Sequence, residues 1–329
     1  MDEARERLQQ KIAAFRLSQM ISVAAKLGLA DLLKDRALSV GELATKTGTH
    51  EDSLYRVLRT MAGFGIFAEE ENRTFRLTPE AEFLRSDVEG SLRVFAEVTG
   101  APWMWRSWGS LLHNVNTGET AFDHVYGKDT WTYFQENVAA SSLFNDFMEE
   151  SSTAHARAVV QAFDFEGKMV VDVAGGQGVL LTAILKRYPS ARGVLFNLPH
   201  VIDAIRTQPM ERLQFARGDF FDSVPTGGDV YVLKNILHDW EDSRAIAILA
   251  TCRRAMARHA SLLIIEDLVY GPNEPSKGRN VDVSMMVRNG GRNRTQAEFE
   301  KLLSTSGFHT LRVIPTRGGP DLLEASLSG

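Results

Sequence analysis

The chain has 329 residues, 44% hydrophobic and 24% charged, globular proportions with material for about two domains. A formal net charge of -5 leaves no electrostatic case for nucleic acid, and no apolar run reaches the length of a membrane span. The single cysteine, Cys252, excludes an intramolecular disulfide framework, and with the charged start MDEARERLQQ it predicts a cytoplasmic protein.

Residues 2 to 29 read as one helix, with Ile12, Phe15, Met20, Val23, Ala24 and Leu27 on a stripe that packs on its own domain or on a second subunit. Ser39 with Glu42 three residues on forms a capping box for the next helix. Thr49 or Asp52 then caps a helix whose apolar face is Leu54, Val57, Leu58 and Met61, ended by Gly63 and Gly65. Phe67-Ala68 and Thr74 to Leu77 read as short strands around a polar turn. Helix, turn, helix and hairpin make a winged-helix pattern, so a DNA-binding regulator is a rival class. Its recognition helix would begin His50-Glu51-Asp52, and those carboxylates repel phosphate. A structural or dimer-forming module is the better reading.

Residues 92 to 155 read as helical and carry four of the five tryptophans, Trp103, Trp105, Trp108 and Trp131. Large aromatics at helical spacing are mostly core, but pockets for planar ligands are lined the same way. Phe144, Met148 and Ser152 recur every four residues, so one helix face can meet both a substrate and a cofactor.

The apolar run Met169 to Ala174 reads as a buried parallel strand, followed by Gly175, Gly176 and Gly178 and a helix from Val179 to Tyr188. Glycines let a ligand approach the backbone, and the helix start offers free N–H groups. A dinucleotide fingerprint would need a third glycine where Leu181 stands. The pattern Asp172-x-x-Gly175-Gly176-x-Gly178 instead resembles the nucleoside-binding turn of S-adenosylmethionine-dependent methyltransferases. Further strands follow at Gly193 to Leu198, from Arg212, at Asp229 to Leu233, Leu262 to Glu266, Thr310 to Ile314 and Leu322 to Ser326. Helices are expected over Asp242 to Ala257 and Gln296 to Ser306, with a loop over 268–280. Strands alternating with helices predict an α/β fold, a doubly wound, mostly parallel sheet whose ligands sit at the strands' carboxyl ends. Gly175, Asn197, Asp219, Lys234 and Glu266 all fall at such ends.

Of eight histidines, His238 stands at a strand end, in Leu237-His238-Asp239-Trp240. A neutral imidazole there can accept a proton, and a carboxylate on its other nitrogen, with Glu266 the candidate, would fix the tautomer. No Cys pair, H-x-x-H or G-x-S-x-G is present, so neither a metal nor a nucleophilic serine is predicted.

Taken together, Gly175-Gly176-x-Gly178, Phe196-Asn197-Leu198-Pro199, Gly218-Asp219-Phe220-Phe221, Leu237-His238-Asp239-Trp240 and Gly290-Gly291-Arg292-x-Arg294-Thr295 resemble one family along essentially the whole chain. It is the methyltransferase class that includes plant caffeic-acid-type and bacterial polyketide and phenazine O-methyltransferases. The resemblance implies a winged-helix dimerisation domain over 1–90, a helical pocket segment over 91–157 and a Rossmann-like catalytic domain over 158–329. It implies a homodimer that converts S-adenosyl-L-methionine to S-adenosyl-L-homocysteine while methylating a planar aromatic hydroxyl, with nitrogen acceptors left open. Cofactor contacts are implied for Ser152, Asp172, the three glycines of the turn, Asn197, Leu198, Gly218, Asp219, Phe220, Lys234 and Trp240. His238 is implied as base with Glu266 orienting it, and Trp103, Phe144, Met148, Met285 and Asn289 as facing the substrate. Two positions depart from the pattern. Asn197 replaces the aspartate that binds the ribose hydroxyls, and Asn293 replaces a glutamate that assists the base, so weaker cofactor binding is expected, together with either a weaker base or an acceptor phenol acidic enough to need less help. These departures keep open, as the alternative to methyl transfer, a relative that binds the cofactor for hydroxylation, decarboxylation or pericyclic chemistry.

Overall fold

A computed structural model describes residues 2–205, 210–316 and 319–328. The chain divides into two compact units, Met1–Arg106 with Asn137–Glu150, and Ser107–Glu136 with Ser151–Gly329.

In the first unit the opening helix, Asp2–Lys26, stops short of the expected residue 29 because Gly28 turns the chain at φ 63 into a short helix, Leu29–Leu32. Its stripe divides: Ala24 is buried, whereas Ile12, Phe15 and Val23 are exposed. The capping box is formed, with Ser39 Oγ accepting from Glu42 N and the Glu42 carboxylate accepting from Ser39 N at 2.8 Å, and it starts the helix Val40–Thr47. The following helix, Glu51–Ala62, is capped by His50, whose Nδ1 accepts from Ser53 N at 3.3 Å. Thr49 and Asp52 do not serve as expected, since the Thr49 hydroxyl pairs with Thr47 and Asp52 lies inside the helix. Strands β1 (Leu38–Ser39), β2 (Ala68–Glu70) and β3 (Thr74–Arg76) form an antiparallel sheet in the order β1-β3-β2. Phe67 stands outside the strand at φ 65, and its buried ring joins Leu43, Leu58, Met61 and Phe75 in the core.

The second unit is built on β4 (Met169–Val173), β5 (Arg192–Asn197), β6 (Leu213–Arg217), β7 (Val230–Lys234), β8 (Ser261–Glu266), β9 (Phe308–Ile314) and β10 (Asp321–Leu327). Their order is β6-β5-β4-β7-β8-β10-β9, and only β10 runs antiparallel to its neighbours. Alternate residues of the central strands feed two separate cores. Val171, Tyr231 and Ile264 enter one, and Val170, Val232 and Ile265 the other, as a sheet covered on both faces requires. The chain winds outward from β4 to β6 and then returns to place β7 on the other side of β4. This reversal opens a crevice at the carboxyl ends of β4 and β7, where ligands of such sheets bind. Part of the segment expected to be loop is helical. Ser276 Oγ accepts from Arg279 N and starts a helix over Lys277–Arg288. No helix among the described residues is long and apolar enough to cross a membrane.

Candidate active site

Three strand ends are stitched together around the glycine turn. Ala174 N donates to Phe196 O at 2.8 Å, and Gly218 N donates to Asn197 O at 3.0 Å. A Cβ on Gly175 would lie 2.3 Å from Asp172 Oδ2, and one on Gly178 2.8 Å from Leu195, so neither position has room for a side chain. Gly178, at φ 75, precedes the helix Val179–Arg187. Asn197 Oδ1 accepts from Leu198 N at 2.8 Å, and Asp219 Oδ1 from Phe221 N at 2.8 Å. Phe220 and Phe221 both meet the Trp240 ring edge-on, at 6.2 Å and 5.0 Å.

Beneath the turn lies a buried polar corner. Asp172 is buried, its Oδ2 has no hydrogen-bond partner among the described residues, and burial pushes its carboxyl up to about 7 against the pull of Lys234. Lys234 Nζ donates to Ser152 Oγ at 3.1 Å, and burial lowers the lysine despite the nearby carboxylates of Asp172, Glu266 and Asp267. His155, one helical turn beyond Ser152, stands 3.1 Å from Lys277 Nζ through its Nε2.

His238 occupies the single turn Leu237–Asp239 that follows β7, and it is buried. Its Nδ1 lies 2.6 Å from Glu266 Oε2, while Glu266 Oε1 accepts from the His238 backbone N–H at 3.2 Å. One carboxylate thus faces the ring as a charge contact, with Nδ1 and Oε2 having no other partner among the described residues, and accepts a hydrogen bond from the main chain of the same residue. Burial opposes a charge on His238, but the charge and contact of Glu266, helped by Asp239, outweigh it and raise the imidazole above its ordinary value. Asp239 Oδ1 stands 3.8 Å from Nε2, the ring nitrogen facing away from Glu266, and accepts from Asn289 Nδ2 at 2.6 Å. The Arg288 guanidinium lies 3.4 Å from the same oxygen.

Arg294, 1% exposed, fixes this turn from below. It donates to Leu237 O at 2.8 Å, to Trp240 O at 2.9 Å and to Asp242 Oδ1. Gly291 passes so close to His238 O that a Cβ there would lie 2.0 Å from it. Met285 is buried, and its carbonyl accepts from Asn289 N. Asn293 bonds elsewhere: Nδ2 donates to Asp267 O and its backbone N–H to Asp282 Oδ1. In the first unit, Trp103 and Phe144 are buried and meet edge-to-face at 6.4 Å, and Met148 is half-buried one turn along the same helix.

The second unit therefore gathers Ser152, Asp172, the glycines, Asn197, Asp219, Lys234, His238 and Glu266 at one end of its sheet, while Trp103, Phe144 and Met148 belong to the first unit. The sequence reading assigned no role to Asp239 or His155 and none to Arg294 beyond its motif. Their signals were adjacency to His238, spacing from Ser152, and a place in the Gly290-to-Thr295 motif.

A cramped glycine turn above a carboxylate with an unpartnered oxygen and a half-buried ammonium suits a nucleoside with a zwitterionic tail. The O-methyltransferase domain family matches residues 108–309, well over half of the chain. The chain belongs to this family. It is an S-adenosylmethionine-dependent O-methyltransferase, and residues 10–87 match the O-methyltransferase dimerisation domain. The methyltransferase is 43% identical over 324 residues to the phenazine O-methyltransferase PhzM of Lysobacter antibioticus, across 97% of this chain and 95% of that protein. The solved structure of LaPhzM superposes with a TM-score of 0.94 at 42% identity, covering 98% of this chain and 99% of that one. NcsB1 from neocarzinostatin biosynthesis, solved with S-adenosylmethionine and 2-hydroxy-5-methyl naphthoic acid, gives a TM-score of 0.82 at 28% identity over 94% of this chain and 96% of its own. The regulator and the non-methylating enzyme weighed from sequence give way to this assignment.

Proposed function

We propose that this methyltransferase transfers a methyl group to a hydroxyl of a planar aromatic acceptor of secondary metabolism, with His238 as general base. The observation that carries the reading is the 2.6 Å contact between His238 Nδ1 and Glu266, which leaves Nε2 as the nitrogen for the acceptor's proton. Bound S-adenosylmethionine supplies an electrophilic methyl group. A phenol titrates near 10 and a free imidazole near 6.5, so full proton transfer before attack would cost roughly 4–5 kcal/mol. His238 therefore takes the proton as the oxygen attacks, and Glu266 balances the charge that builds on the ring.

Lys234, Ser152 and Asp172 serve the cofactor's amino-acid end in this reading, and the glycine turn, Asn197 and Asp219 its nucleoside. Met285 and Asn289 of the second unit serve the acceptor in this reading, and Trp103, Phe144 and Met148 are the acceptor-contact candidates of the first unit. Asn197 keeps one acceptor oxygen, which already serves Leu198 N, and this supports weaker ribose binding than an aspartate would give. The dimerisation match supports a homodimer through residues 1–90. In this reading 91–157 serve as a helical pocket segment and 158–329 as the catalytic domain, and the enzyme works in the cytoplasm. A phenazine enzyme and a naphthoic-acid complex among its relatives support fused aromatic rings as acceptors. The test is incubation with S-adenosylmethionine and a panel of hydroxyphenazines and hydroxynaphthoates. A product heavier by one methyl, formed one-for-one with S-adenosylhomocysteine, is expected. Turnover of the cofactor without a methylated product would overturn the reading.

A further inference from the structure

The buried corner beneath the glycine turn contains a donor with no acceptor among the described residues. His155 is 6% exposed, and its Nε2 lies 3.1 Å from Lys277 Nζ. An ammonium only donates, so Nε2 accepts and the ring proton resides on Nδ1. Burial, and then the charges of Lys277 and Lys234, hold the imidazole down to about 3, which keeps the ring neutral and this tautomer in place. Nδ1 is itself buried and has no hydrogen-bond partner among the described residues. Such an orphaned N–H costs the free protein stability unless something else accepts from it.

The surroundings define the missing acceptor. His155 follows Ser152 by three positions, so both lie on one face of the helix Val138–Ala162. Ser152 Oγ accepts from Lys234 Nζ and keeps its own O–H to donate. Lys277 reaches Asp267 at 3.3 Å as well as His155. An N–H, an O–H and a half-buried ammonium therefore meet at a corner where no described residue accepts from the imidazole Nδ1. Asp172, the carboxylate beside Lys234, offers the opposite preference through its unpartnered Oδ2.

We propose that His155 is a cofactor-recognition residue whose Nδ1–H donates to the α-carboxylate of S-adenosylmethionine, alongside Ser152 and Lys234, while Asp172 faces the α-ammonium. The proposal rests on the cofactor assignment and adds a residue that reads one end of that molecule. Substituting His155 therefore discriminates between ligands with and without the carboxylate, which a packing role would not do.

The experiment is calorimetric titration of the full-length protein and its variants with S-adenosylmethionine and with decarboxylated S-adenosylmethionine. His155→Leu is expected to weaken the first by about tenfold or more, the worth of a hydrogen bond to a charged group. The same variant should leave the second within about twofold, since the group that His155 reads is missing from it. His155→Asn, whose amide N–H can replace Nδ1–H, should recover the first to within about threefold, and it guards against a leucine variant that folds poorly. Equal losses for both ligands, or no loss for either, would hand Nδ1–H to a water or to packing and overturn the proposal. Failure of the unsubstituted protein to bind either ligand would instead remove the cofactor assignment beneath it.

Discussion

The two polar corners at the sheet's carboxyl end are built in opposite ways. Around His238 the protein pairs its own charges: His238 Nδ1 and Glu266 Oε2 face each other at 2.6 Å with no other partner among the described residues, Glu266 Oε1 accepts from the His238 backbone, Asn289 holds Asp239, and Arg294 binds the carbonyls of the turn. Around Lys234, by contrast, Asp172 Oδ2 and His155 Nδ1 are buried without hydrogen-bond partners among the described residues. In the proposed reading the base is organised before any ligand arrives, whereas the corner around Lys234 holds groups whose partners would come with the cofactor. Geometry fixed in advance raises the rate of the chemical step, and buried groups left waiting convert their desolvation into selectivity for the molecule that completes them.

The comparison is broken most severely by removing the base. His238→Ala is expected to lower single-turnover methylation by about a thousandfold, the usual contribution of a positioned base, while S-adenosylhomocysteine still binds as in the parent protein. Undiminished turnover in that variant would leave only proximity as the source of catalysis. Lys234→Met strikes the other corner and should weaken S-adenosylhomocysteine by about thirtyfold in calorimetry, because Asp172 is left buried without its counter-charge. The turnover of cofactor-saturated protein should fall much less. Arg294→Met should lower the unfolding free energy by about 2 kcal/mol in urea titration; the figure is modest because Asp242 is largely exposed while the two carbonyls lose buried donors. The smallest effect sharpens the comparison. Asn197→Asp should tighten S-adenosylhomocysteine by about threefold to tenfold, as a charged acceptor replaces a neutral one whose oxygen already serves Leu198.

The parts of this molecule that were legible in the sequence are those set by local pattern. Runs such as Met169 to Val173 and Ser261 to Glu266 are apolar throughout because both sheet faces are covered, and their ends located Lys234, Glu266 and the glycine turn. The Ser39–Glu42 capping box needs only four residues and was equally plain. What escaped notice depends on partners distant in the chain. Arg294 acts on carbonyls more than fifty positions away, and the meaning of His155 comes from Lys277, which a different helix supplies. The cap on Glu51–Ala62 escaped for another reason: histidine is an uncommon cap, and Thr49 was drawn aside by Thr47. The winged pattern of the first unit was visible, but burial of Ala24 beside exposure of Ile12 and Phe15 depends on packing that periodicity does not encode.

The claim that Glu266 and His238 form a prepared base is tested most directly by the pH dependence of single-turnover methylation, in the parent protein and in Glu266→Gln, each saturated with S-adenosylmethionine. Glu266 raises the imidazole, so the parent rate should climb with pH through an apparent value above about 6.5, as the ring loses its proton and becomes able to accept one. Without that carboxylate burial dominates, and the limb should move below about 6.5 while the plateau falls. Superimposable profiles, or a rate independent of pH in the parent, would contradict the account.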